Sequence, residues 1–385
     1  MSIASGEQTA GSIRAPRLVS LDVFRGITIA FMILVGNRIG DYYYWPLDHA
    51  PWNGYTPTDL IFPAFLFIVG ITVVFSSESR LSRGDSKASL LLHTLRRAAI
   101  LFLLGLVING FPYFNLGTLR IYGVLQRIAI CFLFASILYL LDRRASSKIV
   151  LVVAILLGYW FLMRWVPVPG FGVPGRDIPF LDPTRNLAAC LDRHVFPGRL
   201  YDTVRDPEGI LSTLPALGTT LLGMLTGIWL RSKRAASQKA VGMFACGTLG
   251  ILLGMLWSHW FPINKNLWTS SFVVLTAGWS LVVFSVLYWA VDIKNWKKGW
   301  TYVWLVFGTN AITAYVFSHL LSATLYAIHW NKGGVSVSVY QSLSSMFLMK
   351  GLSLNFSSLL YALCAIGVCY LPIAWLYHKK IFLKI

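Results

Sequence analysis

Ten apolar stretches separated by short polar connectors dominate the chain, near residues 19–37, 59–77, 93–111, 121–141, 149–166, 210–230, 241–261, 268–291, 300–321 and 353–376. Each approaches or exceeds the roughly 20 residues that a helix needs to cross a hydrocarbon layer. In lipid every backbone N–H and C=O must find a partner within the protein, so these stretches are predicted to be helices. A membrane β-barrel would show short segments of strict alternation, and none persists here. The pattern predicts an all-α, polytopic integral membrane protein of about ten transmembrane helices.

The connectors divide by charge. Arg14 and Arg17, the segment from Arg80 to Arg97, Arg143, Arg144 and Lys148, Arg231 to Lys239, Lys294 to Lys298, and Lys379, Lys380 and Lys384 fall on one side. The positive-inside rule makes that side cytoplasmic, with both termini there. Residues 38–58, 112–118, 167–209, 262–267 and 322–350 fall on the other side. The organisation predicted is a cytoplasmic N-terminal segment (1–18), a single transmembrane domain (19–378) and a cytoplasmic tail (379–385). The long extracytoplasmic loop 167–209 is irregular and rich in paired Arg and Asp, as a site-covering loop would be. The polar start shows no short apolar core with a cleavage site, so the first helix is expected to stay in the protein.

Composition agrees: 56% of residues are hydrophobic and 12% charged, which excludes one water-soluble core. The formal charge of +18 would suit nucleic acid, but it is spread over short connectors, so topology explains it and no nucleic-acid partner is expected. The five cysteines show neither zinc-ligand spacing nor an extracytoplasmic pair, and no metal is expected.

Polar groups inside or beside the spans carry the candidate chemistry, because ionisable residues in lipid are costly and face protein or a watery cavity. Asp22 and Arg25 share one face of the first helix, either as a mutual ion pair or as a cationic cleft for an anion. Arg120, Gln126 and Arg127 start the fourth span; a buried Arg suits phosphate through its two parallel donors and serves equally as an internal anchor. In the aromatic segment Asp41–Gly54, His49 is the side chain suited to proton transfer near neutral pH, and Asp48 is the nearest carboxylate. Asn264, Lys265, Asn310 and His319 complete the set, while His93, His259, His329 and His378 lie near span ends.

The runs Leu21-Asp-Val-Phe-Arg-Gly-Ile27, His49-Ala-Pro-Trp-Asn-Gly54, Asp59-Leu-Ile-Phe-Pro63, Arg120-Ile-Tyr-Gly-Val-Leu-Gln-Arg127, Asp206-Pro-Glu-Gly-Ile-Leu211, Asn264-Lys-Asn-Leu-Trp268 and Gly308-Thr-Asn310 come in this order, followed by His319 and the tail Lys379-Lys-Ile-Phe-Leu-Lys-Ile385. Together they resemble the heparan-α-glucosaminide N-acetyltransferase family. The resemblance implies an acetyltransferase that takes acetyl-CoA from the cytoplasm and acetylates an amino sugar at the opposite face. It implies His49 as the catalytic histidine, with Asn37 as an oxyanion donor and Asp48 beside it. It further implies Arg25, Arg120, Gln126 and Arg127 toward the coenzyme. Trp52, Asn53, Asp59, Asp206, Glu208, Asn264, Lys265, Asn310 and His319 are then expected toward the sugar. The large N-terminal region of the lysosomal enzyme is missing from this sequence, so glucosamine or a small glucosaminide is the expected acceptor, in a bacterial inner membrane. Relatives also suggest a homodimer. An amino-sugar transporter and an O-acyltransferase of an envelope glycan are the competing readings.

Overall fold

A computed structural model describes residues 18–297, 299–348 and 351–383. Arg14, Arg17, Lys298 and Lys384 lie outside the described residues. The membrane-length helices are α1 (Val19–Gly36), α2 (Ile61–Leu81), α3 (Lys87–Gly110), α4 (Val124–Leu141) and α5 (Ala145–Trp165). A short α6 (Leu187–Val195) precedes α7 (Ile210–Leu230), α8 (Ala236–Trp257) and α9 (Ser270–Leu287). Then follow α10 (Trp300–Thr309), α11 (Ala311–Ala327), strands β1 (His329–Lys332) and β2 (Val335–Ser338), α12 (Val339–Phe347) and α13 (Leu354–His378). Among the described residues nine helices are long and apolar enough to cross a membrane, and α10 with α11 makes a tenth, bent by 79°.

That bend departs from the unbroken ninth span expected. Asn310 leaves helical geometry (φ −124°, ψ 41°), and its side-chain amide bonds the chain's tail rather than its own helix. Asparagine readily trades helical for local polar bonding, so it marks the break. The other additions are too short for a hydropathy pattern to show. Asn186 caps α6 by accepting from Ala189 N, Ser338 and Gln341 form a capping box on α12, and β1 pairs antiparallel with β2.

Burial sorts the helices into an inner and an outer set. The most apolar windows of α2 and α7 are 67% buried within the protein, against 22% for α3, α8 and α13, which face outward. Glycines set the closest approaches, as is usual where helices associate without a hydrophobic driving force. A Cβ at Gly278 of α9 would lie 2.7 Å from Gly247 O of α8. One at Gly308 of α10 would lie 1.9 Å from Asp22 O of α1. The second contact holds α1 and α10 together where Arg25 sits.

Tracing ten crossings puts the starts of α1, α3 and α10 and the ends of α2 and α13 at one end of the bundle, called here the basic face. The 38–60 segment, the 167–209 loop and the 262–269 turn gather at the other, the loop face. At the basic face Glu78 gathers Tyr139 (2.9 Å), Arg143 (3.4 Å) and Arg231 (3.5 Å), tying the ends of α2, α4 and α7 together.

Candidate active site

Two short 3-10 turns, Trp45–Leu47 and Pro57–Leu60, fold the loop after α1 back onto the start of α2. Asp59 fixes this loop from inside. Its Oδ2 accepts from Ala50 N (3.1 Å) and Thr56 N (3.0 Å), leaving Oδ1 toward His49 Nδ1 at 2.7 Å. The carboxylate is 1% exposed, whereas the His49 side chain is 49% exposed and reachable from solvent. Lys265 arrives from the turn between α8 and α9, with Nζ 2.9 Å from His49 Nδ1, 3.2 Å from Nε2 and 3.4 Å from Asp59 Oδ1.

The turn that presents Lys265 is built by its neighbour. Asn264 accepts from Leu267 N (2.9 Å), donates from its backbone to Thr269 Oγ1 (3.0 Å), and donates from Nδ2 to Asn53 Oδ1 (3.2 Å). Gly54 N donates to Ile263 O (2.7 Å), so the histidine loop and the lysine turn are sewn together. Asn53 and Asn264, read from sequence as sugar contacts, therefore spend their amides on each other and on this turn. Burial holds Lys265 below the usual lysine range, partly offset by the charges of Asp59 and Glu208.

A nitrogen that donates to a carboxylate has no lone pair for an ammonium. The 2.7 Å contact to a buried acceptor with two other donors on its second oxygen therefore assigns the Nδ1 proton to the Asp59 bond. Nε2 then carries the lone pair beside Lys265. Asp48 does not share this role. Its carboxylate turns away to Arg38 at 3.2 Å, because neighbours on an extended segment point apart, and Asp59 replaces it as the partner of His49.

Beside this triad Arg120 forks onto Asp206 (2.7 and 2.6 Å) and also reaches Glu208. Burial opposes the Arg120 charge, but the two carboxylates outweigh it and raise its affinity for the proton above the ordinary. Asp206 also accepts from Tyr201 N and Glu208 N, so it is filled by protein and pins the long loop to the connector before α4. Trp52 is likewise fastened, with Nε1 on Leu181 O (2.9 Å) and the Arg205 guanidinium 4.4 Å over its ring. The face expected to stack on a sugar is thus covered by Arg205.

Arg127 is fully buried, donating to Gly209 O (3.3 Å) and Ser212 and lying 5.0 Å from the Trp268 ring. Its Nε and Nη1, and Nε2 of the adjacent buried Gln126, have no hydrogen-bond partner among the described residues. Arg127 braces the start of α7, while Gln126 packs against Gly105 of α3. Asn37 sits at the end of α1 with Nδ2 on Ile33 O (2.8 Å) and Ser318 Oγ (3.1 Å), and Oδ1 accepting from Ser322. His319, on the same helix as Ser318 and Ser322, packs on Tyr315 at 4.1 Å. Asn37 bonds α11, which also carries His319, and neither residue makes a hydrogen bond with His49 among the described residues.

At the basic face a cavity of about 510 Å³ opens between α1, α2, α3, α4 and the α10–α11 break. Arg25 lines it, paired with Asp22 (3.1 Å) and bonded to Thr72 Oγ1 (3.2 Å) and Gly308 O (3.3 Å). Arg97 lines it too and was not singled out from sequence. The signal was the tandem Arg96-Arg97 near the start of a span: adjacent helical residues point about 100° apart, so Arg96 is exposed while Arg97 turns inward. Asn310 belongs to this end of the molecule, bonded to Ile381 and Leu383, and not to the sugar side where the sequence reading put it. Phe65, Ile128 and Ile312 line both this cavity and a narrow void of about 10 Å³ bounded beyond them by Met32, Val124 and Tyr315. The small void therefore lies directly beside the cavity, separated from it by Phe65, Ile128 and Ile312.

Comparison with known proteins identifies a family. The family model described as "Heparan-alpha-glucosaminide N-acetyltransferase, catalytic" matches residues 17–255. The human heparan-alpha-glucosaminide N-acetyltransferase is 31% identical over 366 residues, 82% of this chain and 54% of that protein. The mouse protein of the same name is 29% identical over 367 residues, 82% of this chain and 55% of that protein. The chain thus spans about half the length of these curated relatives. The family-model match covers well over half of the chain and includes His49 and Asp59, so this chain belongs to the heparan-alpha-glucosaminide N-acetyltransferase catalytic family.

Proposed function

We propose that this chain is a membrane-embedded N-acetyltransferase carrying acetyl from acetyl-CoA, taken up at the basic face, to the amino group of glucosamine or a terminal glucosaminide at the loop face. The observation that carries this reading is the half-exposed His49 held by buried Asp59 beside Lys265. The basic face is the cytoplasmic one by the positive-inside rule. Arg25 and Arg97 supply the cationic lining that the coenzyme's phosphates call for. The pantetheine arm would run inward from this cavity past Phe65, Ile128 and Ile312 toward His49. Thr72 to Asp59 along α2 and its leading turn is thirteen residues, about 20 Å at 1.5 Å per residue.

In the direct form of the reaction the amine attacks the thioester carbonyl while Nε2 takes an amine proton. The tetrahedral intermediate collapses, the C–S bond breaks, and the departing thiolate takes that proton, leaving N-acetyl amino sugar and CoA thiol. In the relayed form Nε2 itself attacks the thioester carbonyl and holds the acetyl group as the C–S bond breaks and CoA leaves as thiolate; the amine then takes the acetyl from Nε2, and its proton passes to the thiolate. Both forms need the lone pair at Nε2 that Asp59 secures. Lys265, 3.2 Å from Nε2, supplies donors where the carbonyl oxygen gathers charge. Asn37 fits that role less well, since both its Nδ2 hydrogens already have partners.

The test is transfer from labelled acetyl-CoA to glucosamine by purified protein beside its His49→Ala variant. Loss of transfer with retained acetyl-CoA binding is expected, and near-normal turnover would overturn the role of His49. Rapid quenching separates the two forms, since only the relay leaves label on the protein. The broken ninth span favours a second reading, an amino-sugar transporter, because interrupted helices often line transport sites. Accumulation of glucosamine in vesicles without acetyl-CoA would support it, and transfer to hydroxyl-only acceptors would instead mark an O-acyltransferase.

A further inference from the structure

After α13 the tail turns back on the bundle instead of trailing away. Lys380 adopts a φ of 55°, and Ile381 N donates to Leu376 O (2.9 Å). Asn310 then clasps the tail at two points: Nδ2 donates to Ile381 O (3.2 Å) and Oδ1 accepts from Leu383 N (3.0 Å). An extended segment presents the C=O of one residue and the N–H of the second residue onward along the same edge, and the amide's paired acceptor and donor match that edge. The 1% exposed Asn310 therefore stands in for a neighbouring strand, which accounts for the broken helix at this position.

Between these two bonds the tail presents Phe382 and Leu383 to the cavity lined by Arg25 and Arg97. The remaining lining residues belong to helices α1, α2, α3, α4, α10 and α11. About 510 Å³ stays open with the tail in place, so the tail walls the cavity rather than filling it. Its residues Ile381, Phe382 and Leu383 stay 37–48% exposed, against helices packed on both sides. A segment with few buried contacts and two specific hydrogen bonds is the part of such a lining that opens most readily.

We propose that Asn310 is a positioning residue and that the segment 381–383 it clasps is a hinged wall of the donor cavity, opening to admit acetyl-CoA and release CoA. This deepens the acetyltransferase reading and rests on it. The test compares the whole protein with Asn310→Ala, which removes both clasp bonds, and Leu383→Pro, which removes one from the tail without touching a membrane helix. Both variants are expected to raise KM for acetyl-CoA, about tenfold for Asn310→Ala, and to speed release of labelled CoA by a similar factor. The effect should fall on donor KM rather than on kcat or acceptor KM, a split that general destabilisation would not give. Limited trypsinolysis after Lys380 should be faster in both variants and slowed by CoA in the parent. Unchanged donor KM and release in folded variants would overturn the proposal. So would a lowered donor KM, which would make the tail a competitor of the donor. A parent that binds no acetyl-CoA defeats the functional reading itself, while unchanged tail cleavage in the variants defeats the clasp.

Discussion

Asp59→Asn is the sharpest perturbation of the loop-face site, because it conserves shape and changes only which atoms donate. The carboxylate accepts on both sides, from Ala50 N and Thr56 N at Oδ2 and from the His49 ring at Oδ1. An amide has one oxygen to offer. With two backbone donors on one side and one ring nitrogen on the other, that oxygen is expected to face the backbone, since two unsatisfied buried N–H groups cost more than one. The NH₂ then faces His49 Nδ1, which must accept. The proton moves to Nε2, and the lone pair that either form of transfer needs is lost. The Lys265 contact at 3.4 Å also loses its counter-charge. Removing a general base costs about 10²–10⁴ in rate, or roughly 3–5 kcal/mol at 1.36 kcal/mol per tenfold. The assay is kcat at saturating acetyl-CoA and glucosamine, with donor KM measured alongside. The expected result is a kcat reduced by about 10²–10⁴ with donor KM unchanged. The double variant with His49→Ala should be no worse than His49→Ala alone, because the two residues act as one unit. A folded Asp59→Asn protein within threefold of parental kcat, as an order-of-magnitude threshold, would refute the tautomer argument.

Three further outcomes follow from other parts of the molecule. Arg97→Gln removes a charge-assisted donor from the basic-face cavity, and donor affinity should fall about 10- to 100-fold with acceptor KM unmoved, as measured by CoA binding. Arg120→Met strands Asp206 and Glu208 together in a buried place, and thermal unfolding in detergent should show a loss of about 3–5 kcal/mol. Asp192 is raised to about 6 by burial, with Asp206 adding to the shift and the Ile210 N–H opposing it. Its folded form holds the proton more tightly than the unfolded form, so its contribution favours folding below about pH 4 and is lost as pH rises through about 6. Asp192→Asn keeps an acceptor for Ile210 N and should stabilise the fold more at pH 8 than at pH 5, by at most about 3 kcal/mol, read from thermal unfolding at the two pH values. An equal gain at both pH values would count against this account.

The spans were legible because hydrophobic length is a local property: nine of the ten stretches, read alone, coincide with one membrane-length helix among the described residues, and the ninth in order coincides with the bent pair α10 and α11. The short α6 and α12, the β1–β2 hairpin and the break at Asn310 were not, since their signals are capping side chains or a contact with a tail some seventy residues away. The site divides in the same way. His49 stood out by its type and its motif, but Asp48 looked like its partner because it was adjacent, while the structure pairs it with Asp59 ten residues on. Asn264 looked like a ligand for sugar and is the hinge pin of the Lys265 turn. Arg97 was hidden in a run of basic residues that topology explained.

What the sequence determined by itself is therefore the class of molecule, the number and order of its membrane spans, the distribution of charge between its two faces, and the candidate histidine of the proposed chemistry. These follow from transfer free energies and motifs that act over neighbouring residues. The tertiary structure decided which carboxylate orients that histidine, which lysine faces it, and which arginines line a cavity rather than meet headgroups or brace the fold. Those outcomes depend on the direction of side chains across gaps of ten to more than two hundred residues. Only the packing of close-set helices, fixed at contacts such as Gly26 against α10 and Gly308 against α1, sets those directions.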